Sequence, residues 1–233
     1  MRPITEVAEE LGLDRESVIP YGHFKAKIEL SAIKKGGRRG KMVVVTGITP
    51  TPAGEGKTTT TVGLTQSLGR LGKKVVATLR EPSLGPIFGI KGGGTGGGKS
   101  LIQPEDEVNI HFTGDAHAVA SAHNLLAALT DNAAQRGQVD GFRPEGMTWR
   151  RVMDVEDRAI RSIIAGVGGS NNAPLRETGF DIVTASEIMA ILALSRDLEN
   201  LRERISRIVV GYTGDNKPVT AADVNAVGSM MAL

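Results

Sequence analysis

The stretch Met42-Val-Val-Val-Thr-Gly-Ile-Thr-Pro-Thr-Pro-Ala-Gly-Glu-Gly-Lys57-Thr-Thr-Thr60 decides the reading of the fold. Met42–Thr46 is short, apolar and β-branched, the pattern of a buried, parallel-type strand. Two prolines and two glycines then forbid its continuation. From Lys57 onward Leu64, Leu68 and Leu71 recur at helical spacing, and Gly69 and Gly72 close that helix. Lys74–Leu79 reads as a second strand. Strand, loop, helix and strand make a βαβ unit, whose crossover sets the loop at the C-terminal edge of a strand.

Such a loop suits a phosphate chain. Glycines allow successive backbone N–H groups to wrap an anion, and the helix N-terminus adds partial positive charge. Lys57 would reach the terminal phosphates, and the Thr58 hydroxyl would ligate Mg²⁺. The strict pattern G-x-x-x-x-G-K-[ST] has Thr51 in place of its first glycine. The alternative is an ordinary strand-to-helix turn with a chance Gly-Lys.

Flanking segments extend the α/β pattern. Ile4, Val7, Ala8 and Leu11 outline a first amphipathic helix ending at Gly12, and residues 24–35 fit a second short one. Val108–Thr113 alternates as a third strand, and an Ala/Leu-rich helix follows over about 115–135. Asp154 is placed to cap a helix reaching Ile164, and Thr184-Ala-Ser-Glu187 has capping-box spacing. Ile208–Val210 reads as a fourth strand, and Thr220–Asp223 as the start of a last helix. That helix ends on bare Met230-Met-Ala-Leu233, which reads as a chain cut inside an element; a terminus docked into the core is the alternative. The expected fold is a mostly parallel sheet flanked by helices, of P-loop NTPase type and truncated. Residues 1–40 form an N-terminal helical extension to a nucleotide-binding domain over 41–233.

Composition narrows the function. The 233 residues include 30 glycines, nearly double the usual share, but only five Phe, two Tyr and one Trp. With no cysteine there is no disulfide framework, thiolate metal site or Cys nucleophile. A net charge of +2 and few aromatics argue against a nucleic-acid surface. No apolar run reaches the length of a membrane span, and three acids in MRPITEVAEE argue against a signal peptide, so a cytoplasmic protein is expected.

Other candidate residues lie around the same sheet edge. Arg80 follows the second strand and is placed to hold a phosphate or carboxylate, or to make a surface ion pair. Lys91–Lys99, with six glycines in nine residues, is either a flexible linker or a mobile anion-gathering loop. His117 and His123 are six apart and share no helical face, which disfavours zinc. Asp115, after Asn109-Ile-His-Phe-Thr-Gly, suits Mg²⁺ or substrate contact, or a helix N-cap.

Together these segments resemble the formate–tetrahydrofolate ligase (formyltetrahydrofolate synthetase) family. The resemblance is carried by Thr49–Thr60, Leu79-Arg-Glu-Pro-Ser-Leu-Gly-Pro86, Ile90-Lys-Gly-Gly93 and His111-Phe-Thr-Gly-Asp-Ala-His-Ala-Val119. Ala122–Ala128, Trp149-Arg-Arg-Val152, Arg176–Ile182, Ala185–Ala190 and Arg207–Thr213 continue it to the end of the chain. The resemblance implies ATP-dependent formylation of tetrahydrofolate. Formate attacks the γ-phosphate to give formyl phosphate and ADP, and N10 of tetrahydrofolate then takes the formyl group and releases phosphate. It implies an ATP loop of Thr51, Pro52, Ala53, Gly54, Glu55, Gly56, Lys57, Thr58 and Thr59, with catalytic Lys57, Arg80 and Asp115 and with Thr58 on Mg²⁺. ATP, Mg²⁺, tetrahydrofolate as co-substrate and a monovalent cation are the implied small molecules. The implied assembly is a homo-oligomer, or association with a C-terminal part carrying the aromatic pterin pocket. A nucleotide-binding fragment without turnover is the alternative. A MinD/ParA-like switch ATPase is disfavoured, because Pro52 stands where that group has a lysine.

Overall fold

The computed structural model describes residues 1–32, 40–49, 51, 54–82, 84, 99–155, 157–169 and 171–233. It divides into two compact units, Met1–Asp115 and Ala116–Leu233.

In the first unit, helix α1 (Ile4–Glu10) buries Ala8. An antiparallel pair follows, β1 (Val18–Pro20) with β2 (Ala26–Ile28), in the register Val18↔Ile28 and Ile19↔Lys27. A 3-10 turn at Leu30–Ala32 follows β2, so the helix expected over 24–35 is not formed; residues 33–35 lie outside the described set. Helix α2 (Lys57–Arg70) starts where the sequence places it and buries Val62. Its side chain Gln66 donates to the carbonyl of Leu101 at 2.8 Å.

The two strands expected beside α2 are not formed. Residues 42–46 and 74–79 carry no regular structure, and Val43, Val44 and Val76 are 66%, 69% and 62% exposed. A strand is stabilised by its neighbours' ladder, and β-branched content alone supplies none. The third expected strand, Val108–Thr113, is also corrected. Glu105, Asp106 and Glu107 open helix α3 (Glu105–Asn109), where three acids in a first turn complement the helix dipole.

The second unit is built on α4 (Asp115–Arg136), whose buried Ala116, Val119, Ala122, Leu126, Ala133 and Ala134 form a stripe at helical spacing. β3 (Phe142–Met147) and β4 (Arg151–Met153) add Phe142 and Val152 to the same core, and β5 (Ile163–Ala165), β6 (Arg176–Thr178) and β7 (Phe180–Ile182) follow in the chain. They are followed by α5 (Glu187–Leu194), α6 (Leu198–Ser206), β8 (Val209–Thr213), β9 (Pro218–Thr220) and α7 (Val227–Met231). Sheets are small: β3-β8-β9 and β5-β6 are antiparallel, and β4-β7 is the one parallel pair among the described residues. The protein is thus mixed α/β, and the described residues do not form the mostly parallel sheet expected. Close approach explains two glycines of the second unit: a Cβ on Gly146 would fall 2.0 Å from the Tyr212 carbonyl oxygen, and one on Gly211 2.3 Å from that of Gly146.

Three local expectations shift. Ile163–Ala165 pairs with Arg176–Thr178 as strand, so no helix runs from Asp154 to Ile164. Ser186, rather than Thr184, caps α5, accepting from the Ile188 N–H at 3.2 Å. Thr220 and Asp223 do bond reciprocally, the Asp223 carboxylate accepting from the Thr220 N–H at 2.8 Å and hydroxyl at 2.7 Å. Asn225, at φ +56°, then interrupts the helical path and delays the last helix to Val227.

Candidate functional site

The Gly-Lys loop has the backbone that its sequence requires. Gly54 and Gly56 sit at φ +81° and +70°, and Gly56 is the N-cap of α2. Side chains at both would be strained, and neither glycine has a neighbour that a Cβ would meet. The Gly54 N–H donates to the Thr51 carbonyl at 3.1 Å. Lys57 is the first residue of α2, Thr58 is half-buried in its first turn, and Thr59 is exposed beside it. Pro52 and Ala53 lie outside the described residues, as do Ser83, Gly85, Pro86 and Lys91–Gly98 of the other glycine-bearing segments.

Glu55 is the acid of this loop. Its carboxylate accepts from the Lys57 ammonium and from the Thr51 N–H. The hydrogen bond from Lys57 and then that from Thr51 hold its carboxyl down to about 2. The backbone before the loop comes close as well: a Cβ on Gly47 would lie 3.2 Å from the Glu55 Cγ and 3.6 Å from the Lys57 Nζ. Lys57 therefore carries a carboxylate from its own loop. Chemically the loop offers an ammonium, a hydroxyl and the backbone N–H groups of a helix start.

Asp115 stands at the first position of α4 and is engaged by Lys27 at 3.2 Å and by the Thr113 hydroxyl. The residues before it form a tight turn. His111 and Phe112 have φ +54° and +32°, and the Gly114 N–H donates to the His111 carbonyl at 2.6 Å. Arg80 is exposed and ends the segment 73–80. Among the described residues, no group of three His, Cys, Asp or Glu is gathered to hold a metal ion.

Residue-by-residue reading of the sequence missed Lys25 and Lys27, which face the 107–115 segment. Their signal is the period-two Lys-Ala-Lys before Ile28. His123, a satisfied polar contact by its sequence, has partners that the sequence does not name, in a buried polar cluster of the second unit. His123 stacks on Trp149 with ring centroids 4.3 Å apart. Its Nε2 lies 3.0 Å from the Arg150 carbonyl, which can only accept, so Nδ1, 2.8 Å from Oγ, accepts from the Ser186 hydroxyl. Burial pushes the His123 imidazole below its ordinary value.

The family model for formate–tetrahydrofolate ligase matches residues 1–233. The chain belongs to the formate–tetrahydrofolate ligase family. It is 55% identical over 232 residues to the formate–tetrahydrofolate ligase of Bartonella tribocorum, covering 99% of this chain and 42% of that protein. The corresponding ligase of Granulibacter bethesdensis is 54% identical over 236 residues, covering all of this chain and 41% of the relative. That of Oenococcus oeni is 52% identical over 231 residues, 99% of this chain and 42% of its own length. The chain thus spans about two-fifths of the ligases it matches. Its Gly-Lys loop and its His111–Asp115 turn both fall inside the matched region.

Proposed function

We propose that this chain is the nucleotide- and formate-activating part of an ATP-dependent formate–tetrahydrofolate ligase, which makes 10-formyltetrahydrofolate, ADP and phosphate. The observation that carries this reading is the helix start at Lys57, preceded by left-handed Gly54 and Gly56, in a chain of that family. In this proposal Thr51, Pro52, Ala53, Gly54, Glu55, Gly56, Lys57, Thr58 and Thr59 line the triphosphate. Residues 1–40 are an extension to a P-loop-type domain over 41–233.

The chemistry follows from charge. Formate's own oxygen is a poor leaving group, whereas phosphate is a good one, so formate is activated by attack of its oxygen on the γ-phosphorus as ADP departs. The formyl carbon then accepts N10 of tetrahydrofolate, and the bond to phosphate breaks. Lys57 neutralises charge on the transferring phosphoryl group, and Arg80 holds the acyl phosphate through its guanidinium fork. Asp115 orients the intermediate. The Thr58 hydroxyl, a hard oxygen at the first turn of α2, fits Mg²⁺, which binds few protein ligands beside phosphate and water and would screen phosphate charge. None of the described residues is assigned to a monovalent cation. The partners proposed are small molecules, with self-association or a C-terminal part completing the folate pocket. Neither nucleic acid nor membrane is a partner in this reading, which places the enzyme in the cytoplasm; no described helix is long and apolar enough to cross a membrane.

A second reading, nucleotide binding without turnover, is favoured by the two-fifths coverage of the relatives. Formate-dependent ADP release from Mg-ATP separates the two. Release that Lys57→Ala lowers at least about 100-fold, the scale of losing one transition-state charge contact, supports the ligase reading. ATP binding with no release supports the second, and turnover unaffected by Lys57→Ala puts the site elsewhere.

A further inference from the structure

We propose that Lys25 is a positioning residue that fixes the His111–Asp115 turn and so presents Asp115. The inference rests on the reading of Asp115 as a group beside the acyl phosphate. Lys25 and Lys27 are two apart at β2, so their side chains leave the strand on one side. Both reach the same segment. The Lys25 ammonium lies 2.7 Å from the Glu107 carboxylate on α3, donates to the Phe112 carbonyl at 2.8 Å, and stands 5.1 Å from the centre of the Tyr21 ring. Lys27 pairs with Asp115 itself at 3.2 Å.

Burial separates their roles. The Lys25 side chain is 10% exposed, against 44% for Lys27. A buried ammonium is tolerated only where its donors are met, and here a carboxylate, a carbonyl and an aromatic face meet them. The Phe112 carbonyl belongs to one of two adjacent non-glycine residues with positive φ. Such backbone persists where its surroundings over-determine it. Beside the Gly114–His111 hydrogen bond, Lys25 adds such a constraint, tying α3 and the Tyr21 turn to the Phe112 carbonyl on the path into Gly114 and Asp115. Lys27 and the Thr113 hydroxyl then set the carboxylate of Asp115 itself.

The test uses the whole chain as Lys25→Met, Lys25→Arg and Asp115→Asn. Two readouts are taken: amide hydrogen exchange at Phe112 and Gly114, with α2 amides as the folding control, and binding of freshly prepared acetyl phosphate in the presence of Mg-ADP, with Mg-ATP binding measured separately. Lys25→Met is expected to speed exchange at Phe112 and Gly114 tenfold or more with α2 unchanged. It should weaken acetyl phosphate tenfold while Mg-ATP affinity stays within twofold, and Lys25→Arg should restore most of both. Unchanged exchange at Phe112 and Gly114, loosening that extends to α2, or a Lys25→Arg variant as impaired as Lys25→Met would each overturn the inference. If Asp115→Asn binds acetyl phosphate as the parent does, the reading of Asp115 fails, and the exchange result decides Lys25 alone.

Discussion

Glu55 and Lys57 hold the sharpest chemistry at the level of single residues. An anion bound to Lys57 shares or competes for its ammonium with the Glu55 carboxylate. Neutralising that competitor frees the ammonium at modest gain, because exposed pairs are weak and screened. Glu55→Gln is expected to tighten Mg-ATP binding about two- to fivefold at low salt, with the difference shrinking as salt rises; titration calorimetry of both proteins at two ionic strengths checks it. The pair also has a pH signature. A carboxyl depressed to about 2 contributes stability above its unfolded value, and that contribution fades as pH falls toward about 2. The carboxyl carbon shift of Glu55 should therefore titrate well below those of solvated glutamates.

Single elements show where the pattern in the chain suffices. Helix α4 was legible because 22 residues repeat one apolar stripe, and α2 because a glycine pair and a lysine mark its start. Met42–Thr46 was misread because strand formation depends on partners distant in the chain, which local β-branching does not report. Val108–Thr113 was misread because alternation hid three acids suited to a helix start. Lys25 was passed over because its worth lies in contacts with residues 82 to 87 positions later. The His123 cluster joins α4 to β4's leading edge and to the α5 cap, and it makes a prediction at this scale. Neutral His123 is held below its ordinary value by burial, so the unfolded chain binds the extra proton first as pH falls. Stability is full above the unfolded histidine range and declines as pH falls through it toward the depressed folded value. The denaturation midpoint, followed by Trp149 fluorescence between pH 7 and 5, should fall with pH, and His123→Gln should flatten that slope.

At the scale of the whole molecule, the second unit joins one helix to two of its sheets through a buried acid that serves two arginines. Asp131 on α4 accepts from Arg151 on β4 at 2.6 Å. Arg176 on β6 stands 2.6 Å from its other oxygen, off the hydrogen-bonding direction, so that contact is electrostatic. The Asp131 side chain is only 7% exposed. Removing it leaves two largely buried guanidinium groups without their counter-charge, a loss of about 3–5 kcal/mol. Asp131→Ala should lower the urea midpoint accordingly, and the Arg151→Met/Asp131→Leu pair should cost less than the sum of its single changes. One carboxylate shared by a helix and strands of two different sheets also binds three distant codons into a single heritable unit. Descendants of this chain drift freely at each of those positions only after the other two have changed, so the family tree should show positions 131, 151 and 176 replaced together, or not at all.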